Sequence, residues 1–263
     1  MILISNDDGP ASPGLKSLIR ELSKIDDTTF FIPEGPRSGS SMSLTFHKPL
    51  RVREIEVEGV KGHIVSGSPA DAVLLANIML DKKPSVVATG INLGDNSGLQ
   101  DIYTSGTVAG AVQGALLGYP AIAFSKMTSD ENILFPWTES AEFQEPANVA
   151  GKIVRFVIDR GLPQGVHLLN VNFPVIVTQS TRAKVTRASF SKYKHYIDRR
   201  LDPRGREYLW LWGNRTANYP EGTDAHALYD DKEISITPMT IDMSSVQIQG
   251  DMSSWIKDLV ERI

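Results

Sequence analysis

Short runs of mostly apolar residues punctuate the first two thirds of the chain: Met1 to Ile4, Phe30 to Ile32, Ser85 to Ala88, Ala121 to Phe124 and Leu168 to Val171. Polar or turn-forming residues bound them. A run without alternation has both faces buried, which predicts strands of a parallel sheet. The segments between them carry helical patterns. Leu15, Leu18, Ile19 and Leu22 fall at i, i+3, i+4 and i+7 and predict a helix after Pro13. Ser68-Pro69-Ala70-Asp71 reads as a helix start, with Ser as cap, Pro in the first turn and Asp near the positive end. Gly106 to Gly118, rich in small residues, predicts a helix close to the sheet, and a fourth helical pattern lies within Glu142 to Asp159. Strand and helix in alternation predict a doubly wound α/β fold, mostly parallel, with helices on both faces of the sheet.

Two segments leave this rhythm. Leu44 to Val65 alternates (Leu50, Val52, then Ile55, Val57) and predicts a hairpin or meander. Arg182 to Arg206 holds nine Lys/Arg against two Asp, interleaved with Phe190, Tyr193 and Tyr196, and Tyr208 to Trp212 follows as a run too apolar for a free loop. This stretch is expected to be an extended β arm that finds its cover elsewhere, on another subunit. Glu233 to Thr237 is expected to return as a strand and Ser253 to Ile263 as a closing helix. The expected division is a catalytic core over 1–180, an oligomerisation arm over 181–232, and a C-terminal strand and helix over 233–263.

Composition narrows the classes. Over 263 residues the net charge is −4, which gives no global pull toward nucleic acid. The basic stretch is read as a solvated or interface arm. There is no cysteine, which removes disulfides, thiolate nucleophiles and Cys-ligated zinc and suits a cytoplasmic location. The first residues lack the basic flank of a signal peptide, and no apolar stretch is long enough to span a bilayer. The five histidines show no H-x-x-x-H spacing. There is no G-x-x-x-x-G-K-[ST], no G-x-G-x-x-G and no G-x-S-x-G.

In an open parallel sheet the ligand site lies beyond the carboxyl ends of the strands. Three predicted strands run into polar, Gly-containing loops there: Ser5-Asn6-Asp7-Asp8-Gly9, Gly35 to Ser41, and Gly90 to Gly98. Their side chains offer hard oxygen, which favours Mg²⁺, Mn²⁺ or Ca²⁺ over zinc or copper. Neighbours in a strand point to opposite faces, so Asp7 and Asp8 share an ion only if the chain turns, which Gly9 and Pro10 permit. The plainer role for either is to cap the Pro13 helix. Ser105-Gly106-Thr107, at a helix start, suits a phosphate, with a simple Ser/Thr cap as the alternative. A phosphatase forming an aspartyl-phosphate is a rival reading, although adjacent Asp7 and Asp8 are not D-x-D. A non-catalytic nucleotide-binding protein is another.

Taken together, Ile4-Ser5-Asn6-Asp7-Asp8-Gly9, Arg37-Ser38-Gly39, Gly90-Ile91-Asn92 with Gly94 and Asn96, and Tyr103 to Ala109 resemble the SurE survival-protein family of metal-dependent nucleotide phosphatases. The likeness continues through Asn170 to Pro174, Asp202 to Gly205, Gly222-Thr223-Asp224 and Ser235 to Pro238. The resemblance implies a Rossmann-like core and an arm exchanged within a homodimer or homotetramer. It implies hydrolysis of nucleoside 5′-monophosphates, with 3′-monophosphates and short polyphosphate as further substrates, using one Mg²⁺ or Mn²⁺ per subunit. By the same likeness the metal falls to Asp7, Asp8, Ser38 and Asn92, and phosphate to Asn96, Ser105, Gly106 and Thr107, with Asp7 and Asp8 catalytic. Pro10-Ala11-Ser12 and Glu34-Gly35-Pro36 depart from the family pattern and are expected at the mouth of the site.

Overall fold

The computed structural model describes residues 1–128, 140–216 and 218–244. The apolar runs become the centre of a nine-stranded sheet. Six strands are parallel: β1 (Ile2–Ser5), β2 (Thr28–Pro33), β4 (Val60–Val65), β5 (Val86–Leu93), β6 (Ala121–Lys126) and β7 (Leu168–Phe173). β3 (Val52–Val57) pairs antiparallel with β4. At the other edge β11 (Ile234–Met239) pairs antiparallel with β7 and parallel with β8 (Ala183–Val185). The order is β3-β4-β2-β1-β5-β6-β7-β11-β8. β1 lies between β2 and β5, so the chain winds to one side first and returns to the other. That change of direction opens a crevice beyond the ends of β1 and β5.

Side chains that alternate across each strand feed two cores. Ile2, Ile4, Val86, Ala88, Ile122 and Phe124 pack on one face with Leu15, Leu18, Ile19 and Leu22 of α1 (Pro13–Leu22) and with Ala147, Ala150 and Val154 of α5 (Gln144–Arg160). Each fully buried leucine or isoleucine of α1 contributes roughly 1.5–3 kcal/mol relative to an exposed one. Leu3, Val87, Ala121 and Ala123 face the other way, toward α2 (Pro69–Met79) and α4 (Gly106–Leu116). Here the helix α4 is the element rich in small residues. A Cβ on Gly114 would lie 2.8 Å from the Val87 Cβ, so α4 sits too close to the sheet for a larger residue. The helices start where their caps predict. The Ser12 hydroxyl accepts from Leu15 N–H at 3.3 Å, and Ser68 and Asp71 form a reciprocal capping box.

The predicted hairpin is present, but its strands begin only at Val52, and β4 also extends the main sheet by pairing with β2. Two helices were not read from the pattern, α3 (Gly98–Thr104) and α6 (Asp224–Tyr229). The expected closing helix Ser253–Ile263 lies outside the described residues. Within 181–232, β8 joins the main sheet and α6 packs on it, while β9 (Tyr193–Leu201) and β10 (Glu207–Arg215) form a separate antiparallel hairpin. Among the described residues no helix is long and apolar enough to cross a membrane.

The hairpin is fastened at its base by an ion cluster. Lys192, just before β9, is fully buried, which corrects its reading as part of a solvated basic stretch. Its ammonium lies 2.6 Å from Asp95 Oδ1 and 2.5 Å from Asp101 Oδ2. It also lies over the rings of Tyr193 and Tyr229, and the Tyr229 hydroxyl donates to Asp95 Oδ2 at 2.7 Å. Burial works to raise the Asp95 carboxyl, but the Lys192 charge and the hydrogen bonds to it outweigh this and hold it below the ordinary value. At Asp101 burial wins and the carboxyl is raised. Removing the shared cation strands two buried carboxylates, a change that typically costs about 3–5 kcal/mol. Lys192→Met is therefore expected to lower the thermal midpoint by roughly 2–4 °C per kcal/mol lost. A midpoint no lower than that of the exposed-site control Lys152→Met would show that the cluster adds no stability.

Candidate active site

β1 ends in a turn closed by Asn6, whose amide donates to Gly9 O at 2.9 Å and accepts from Gly9 N–H at 3.3 Å. Gly9 has φ +83°, and a Cβ there would sit 3.0 Å from the Gly35 Cα, so only glycine admits both the turn and the close passage of the β2 exit loop. The turn sends the two carboxylates different ways. Asp7 is 3% exposed and points at the start of α4. The Thr107 hydroxyl donates to its Oδ1, and the backbone N–H groups of Gly106 and Thr107 point at the same carboxylate. A Cβ on Gly106 would lie 2.8 Å from Asp7 Cβ and 2.9 Å from Asp7 Oδ2, which is why this helix begins with glycine. Asp8 turns toward the end of β5 and the start of α1. It accepts from Leu93 N–H at 3.4 Å and from the Ser12 hydroxyl.

Both carboxyl groups are pushed up. At Asp7 burial is the leading cause, opposed by the donors of α4. At Asp8 burial comes first and the neighbouring Asp7 charge second, raising it to about 7 against the Leu93 N–H and Ser12 hydrogen bonds. Among the described residues no Lys, Arg or His forms an ion pair with either carboxylate. Nor do three His, Asp or Glu side chains among them form a group that could hold a metal ion. A cation at this pair would have to complete its shell with neutral oxygens.

Asn92 can supply one. It follows a register shift in β5 between Thr89 and Asn92, and its amide nitrogen donates to Gly94 O at 2.7 Å. That leaves its Oδ1 as the acceptor end. Ser38 is exposed, in a loop held down at both ends: Arg37 N–H donates to Asp7 O at 2.7 Å, and Ser41 N–H to Thr104 O at 3.0 Å. Asn96 is fixed by the ends of β6 and β7, donating to Asn172 Oδ1 (2.7 Å) and Ser125 Oγ (2.7 Å) and accepting from Asn170 Nδ2 (2.9 Å). Ser105 caps α4, accepting from Val108 N–H at 3.1 Å. The structure thus brings Asp7 against Gly106 and Thr107, and Asp8 against the residue that follows Asn92.

Some residues of this region carried no readable signal. Ser12 was visible only as part of an atypical run, yet it both caps α1 and donates to Asp8. The Ser40 hydroxyl is buried without a hydrogen-bond partner, 2.8 Å from where a Gly106 Cβ would be. Asp95, Asp101 and Lys192 meet across sequence separations of 97 and 91 residues, which no local spacing reveals. Next to the carboxylate pair, a cavity of ≈ 930 Å³ opens between Leu93, Gly94 and Thr104 on the core and Tyr193, His195 and Trp212 at the hairpin base.

Comparison with known proteins bears on all of these loops. The family described as Survival protein SurE matches residues 2–195. The chain is 36% identical to a protein named 5′-nucleotidase SurE from Methanocella arvoryzae over 260 residues, covering 98% of each. It is 39% identical to the one so named from Archaeoglobus fulgidus over 259 residues, again 98% of each. The crystal structure of the SurE protein from Aquifex aeolicus superposes with a TM-score of 0.80 at 34% identity, covering 97% of this chain and 98% of that one. The exits of β1, β2 and β5 and the start of α4 all fall within the matched span, and on these grounds the chain belongs to the SurE family.

Proposed function

We propose that this chain is a phosphomonoesterase that hydrolyses nucleoside 5′-monophosphates to nucleoside and phosphate, using one divalent cation per subunit, Mg²⁺ or Mn²⁺. The observation that carries the reading is the Asp7–Asp8 pair, which meets no protein cation among the described residues, with Asp7 buried at the start of an 11-residue helix and Asp8 half-buried beside it. The relatives' printed name, 5′-nucleotidase, supports the substrate class. Nucleoside 3′-monophosphates and short polyphosphate are the wider range proposed.

The donor set fits such a cation: two carboxylates, the oriented Oδ1 of Asn92 and the Ser38 hydroxyl are all hard oxygen. When bound, the cation neutralises the carboxylate pair and polarises a phosphoryl oxygen. The chain's own groups do the rest. The first turn of α4, with Ser105, Gly106 and Thr107, offers positive helix-end potential to phosphate charge. Thr107 also keeps Asp7 oriented. Asn96, immobilised on three sides, holds the opposite loop at fixed distance. Asp8 is held by fewer donors than Asp7 and is the carboxylate with a lone pair left for water.

The exposed Ile197, Leu201, Leu209, Trp210 and Leu211 on the hairpin support assembly through the arm into a homodimer or homotetramer. A chain without cysteine suits a reducing compartment, and we place it in the cytoplasm.

Phosphate release from a nucleoside 5′-monophosphate is expected to vanish on chelation and return with Mg²⁺ or Mn²⁺. Asp8→Asn is expected to lower kcat by on the order of 100-fold or more. Turnover that survives chelation would sink the metal role. A second expectation follows from the raised Asp8 carboxyl. Below the ordinary value of 3.8 the group is protonated whether folded or unfolded and costs nothing. As pH rises from there through about 7, the folded metal-free protein loses stability relative to the unfolded chain. In chelator, Asp8→Asn should therefore melt progressively further above wild type as pH rises from 3.8 to about 7, with the gap levelling off beyond that and Mg²⁺ or Mn²⁺ reversing the order above it. A gap that does not vary with pH would refute the assignment. Light scattering should give a mass of two or four times 28.9 kDa, and a monomer at micromolar concentration would rule out assembly through the arm.

A further inference from the structure

We infer that the cavity between the core and the base of the β9–β10 hairpin receives the nucleoside part of the substrate, so that the arm itself sets substrate preference. The inference rests on the phosphomonoesterase reading for its choice of ligand.

The cavity adjoins the carboxylate site through the residues that flank both. Leu93, which lines it, donates its N–H to Asp8, and Gly94, which also lines it, holds the amide of Asn92. Thr104, on its wall, directly precedes the Ser105 cap of α4. A phosphate between Asp8 and the start of α4 would thus have its ester substituent directed into this space. At ≈ 930 Å³ the cavity far exceeds a phosphate and lies at the upper end of the roughly 300–1,000 Å³ typical of small-molecule sites.

Its walls suit a flat, uncharged ring system. Tyr193 and His195, on one face of β9, and Trp212 of β10 line it, and Trp212 is 52% exposed. Gln100 and Asn214 contribute amides that can both donate and accept, and Gln100 Nε2 lies 3.0 Å from His195 Nε2. Aromatic stacking accepts any base, while amides read its edge. The charge balance favours an uncharged group over further anionic charge in this cavity. Lys192 is consumed by Asp95 and Asp101, both on the cavity wall, and the Arg215 guanidinium stacks on Tyr229 at 5.0 Å.

The hairpin also divides along its length. Tyr193, His195 and Leu211 to Arg215 at its base line the cavity, whereas Ile197, Leu201, Leu209 and Trp210 do not and stay exposed. Of the residues named for assembly, Leu211 alone also lines the cavity, so substrate reading and assembly draw on largely different residues of one hairpin.

The test compares kcat/KM for adenosine 5′-monophosphate with that for glycerol 1-phosphate, a phosphomonoester without a base, in wild type, Trp212→Ala and Trp212→Phe. Trp212→Ala is expected to lower the ratio about tenfold, mainly through KM for the nucleotide, and Trp212→Phe to restore most of it. Calorimetry with uncharged adenosine in chelator supplies a readout free of turnover: binding to wild type, weakened at least tenfold in Trp212→Ala. An unchanged ratio with unchanged adenosine binding overturns the inference, and so does an equal fall on both substrates, which would mark Trp212 as a support of the fold. If wild type hydrolyses neither ester yet binds adenosine through Trp212, the phosphatase reading fails and the nucleoside site stands.

Discussion

Holding two adjacent carboxylates inside a protein costs free energy that burial and mutual repulsion both add to, and the neighbourhood of Asp7 and Asp8 is organised around that cost. Asp7 is met by the hydroxyl of Thr107 and the first N–H groups of α4, the strongest donors a helix has to spare. Asp8 is met less fully, by one long backbone hydrogen bond and one hydroxyl. The imbalance leaves the pair short of positive charge. What such an acidic pair lacks is what a divalent cation would supply, so the proposed ion would bear on the fold as well as on the chemistry.

Bringing α4 to Asp7 depends on features far from the site. The helix can reach the end of β1 only because Gly110 and Gly114, lying against Thr89 and Val87, let its axis sit close to the sheet. A bulkier helix would ride outward and carry its N-terminus away from the carboxylate. The small residues, which look like mere packing, therefore serve the placement of donors.

Much of this was legible in sequence and some could not have been. β1, β2, β5, β6 and β7 announced themselves because strands buried on both faces leave unbroken apolar runs. α1 and α2 were legible through periodicity and caps. α3 and α6, with seven and six residues, are too short to show a period and read as loop. That a polar turn with Asp7 and Asp8 follows β1 could be read directly. That Asp7 is received by Thr107, 100 residues on, follows only from the crossover and the helix depth. Lys192 was the least legible residue: among eight basic neighbours it looks solvated, and only the fold places it between two carboxylates.

The hairpin register carries a consequence for how this arm can change over generations. β9 and β10 are paired residue for residue from Tyr193↔Arg215 to Leu201↔Glu207, with Trp210 and Trp212 two apart on the same face. Side-chain facing alternates with every residue, so slipping one strand by a single position turns every side chain in it over. An inserted residue near the base of β10 would rotate the tryptophans out of step with Tyr193 and Lys192. Insertions and deletions in the arm are therefore filtered by parity: it can grow or shrink by matched pairs near the tip, while its base keeps a fixed phase against the core.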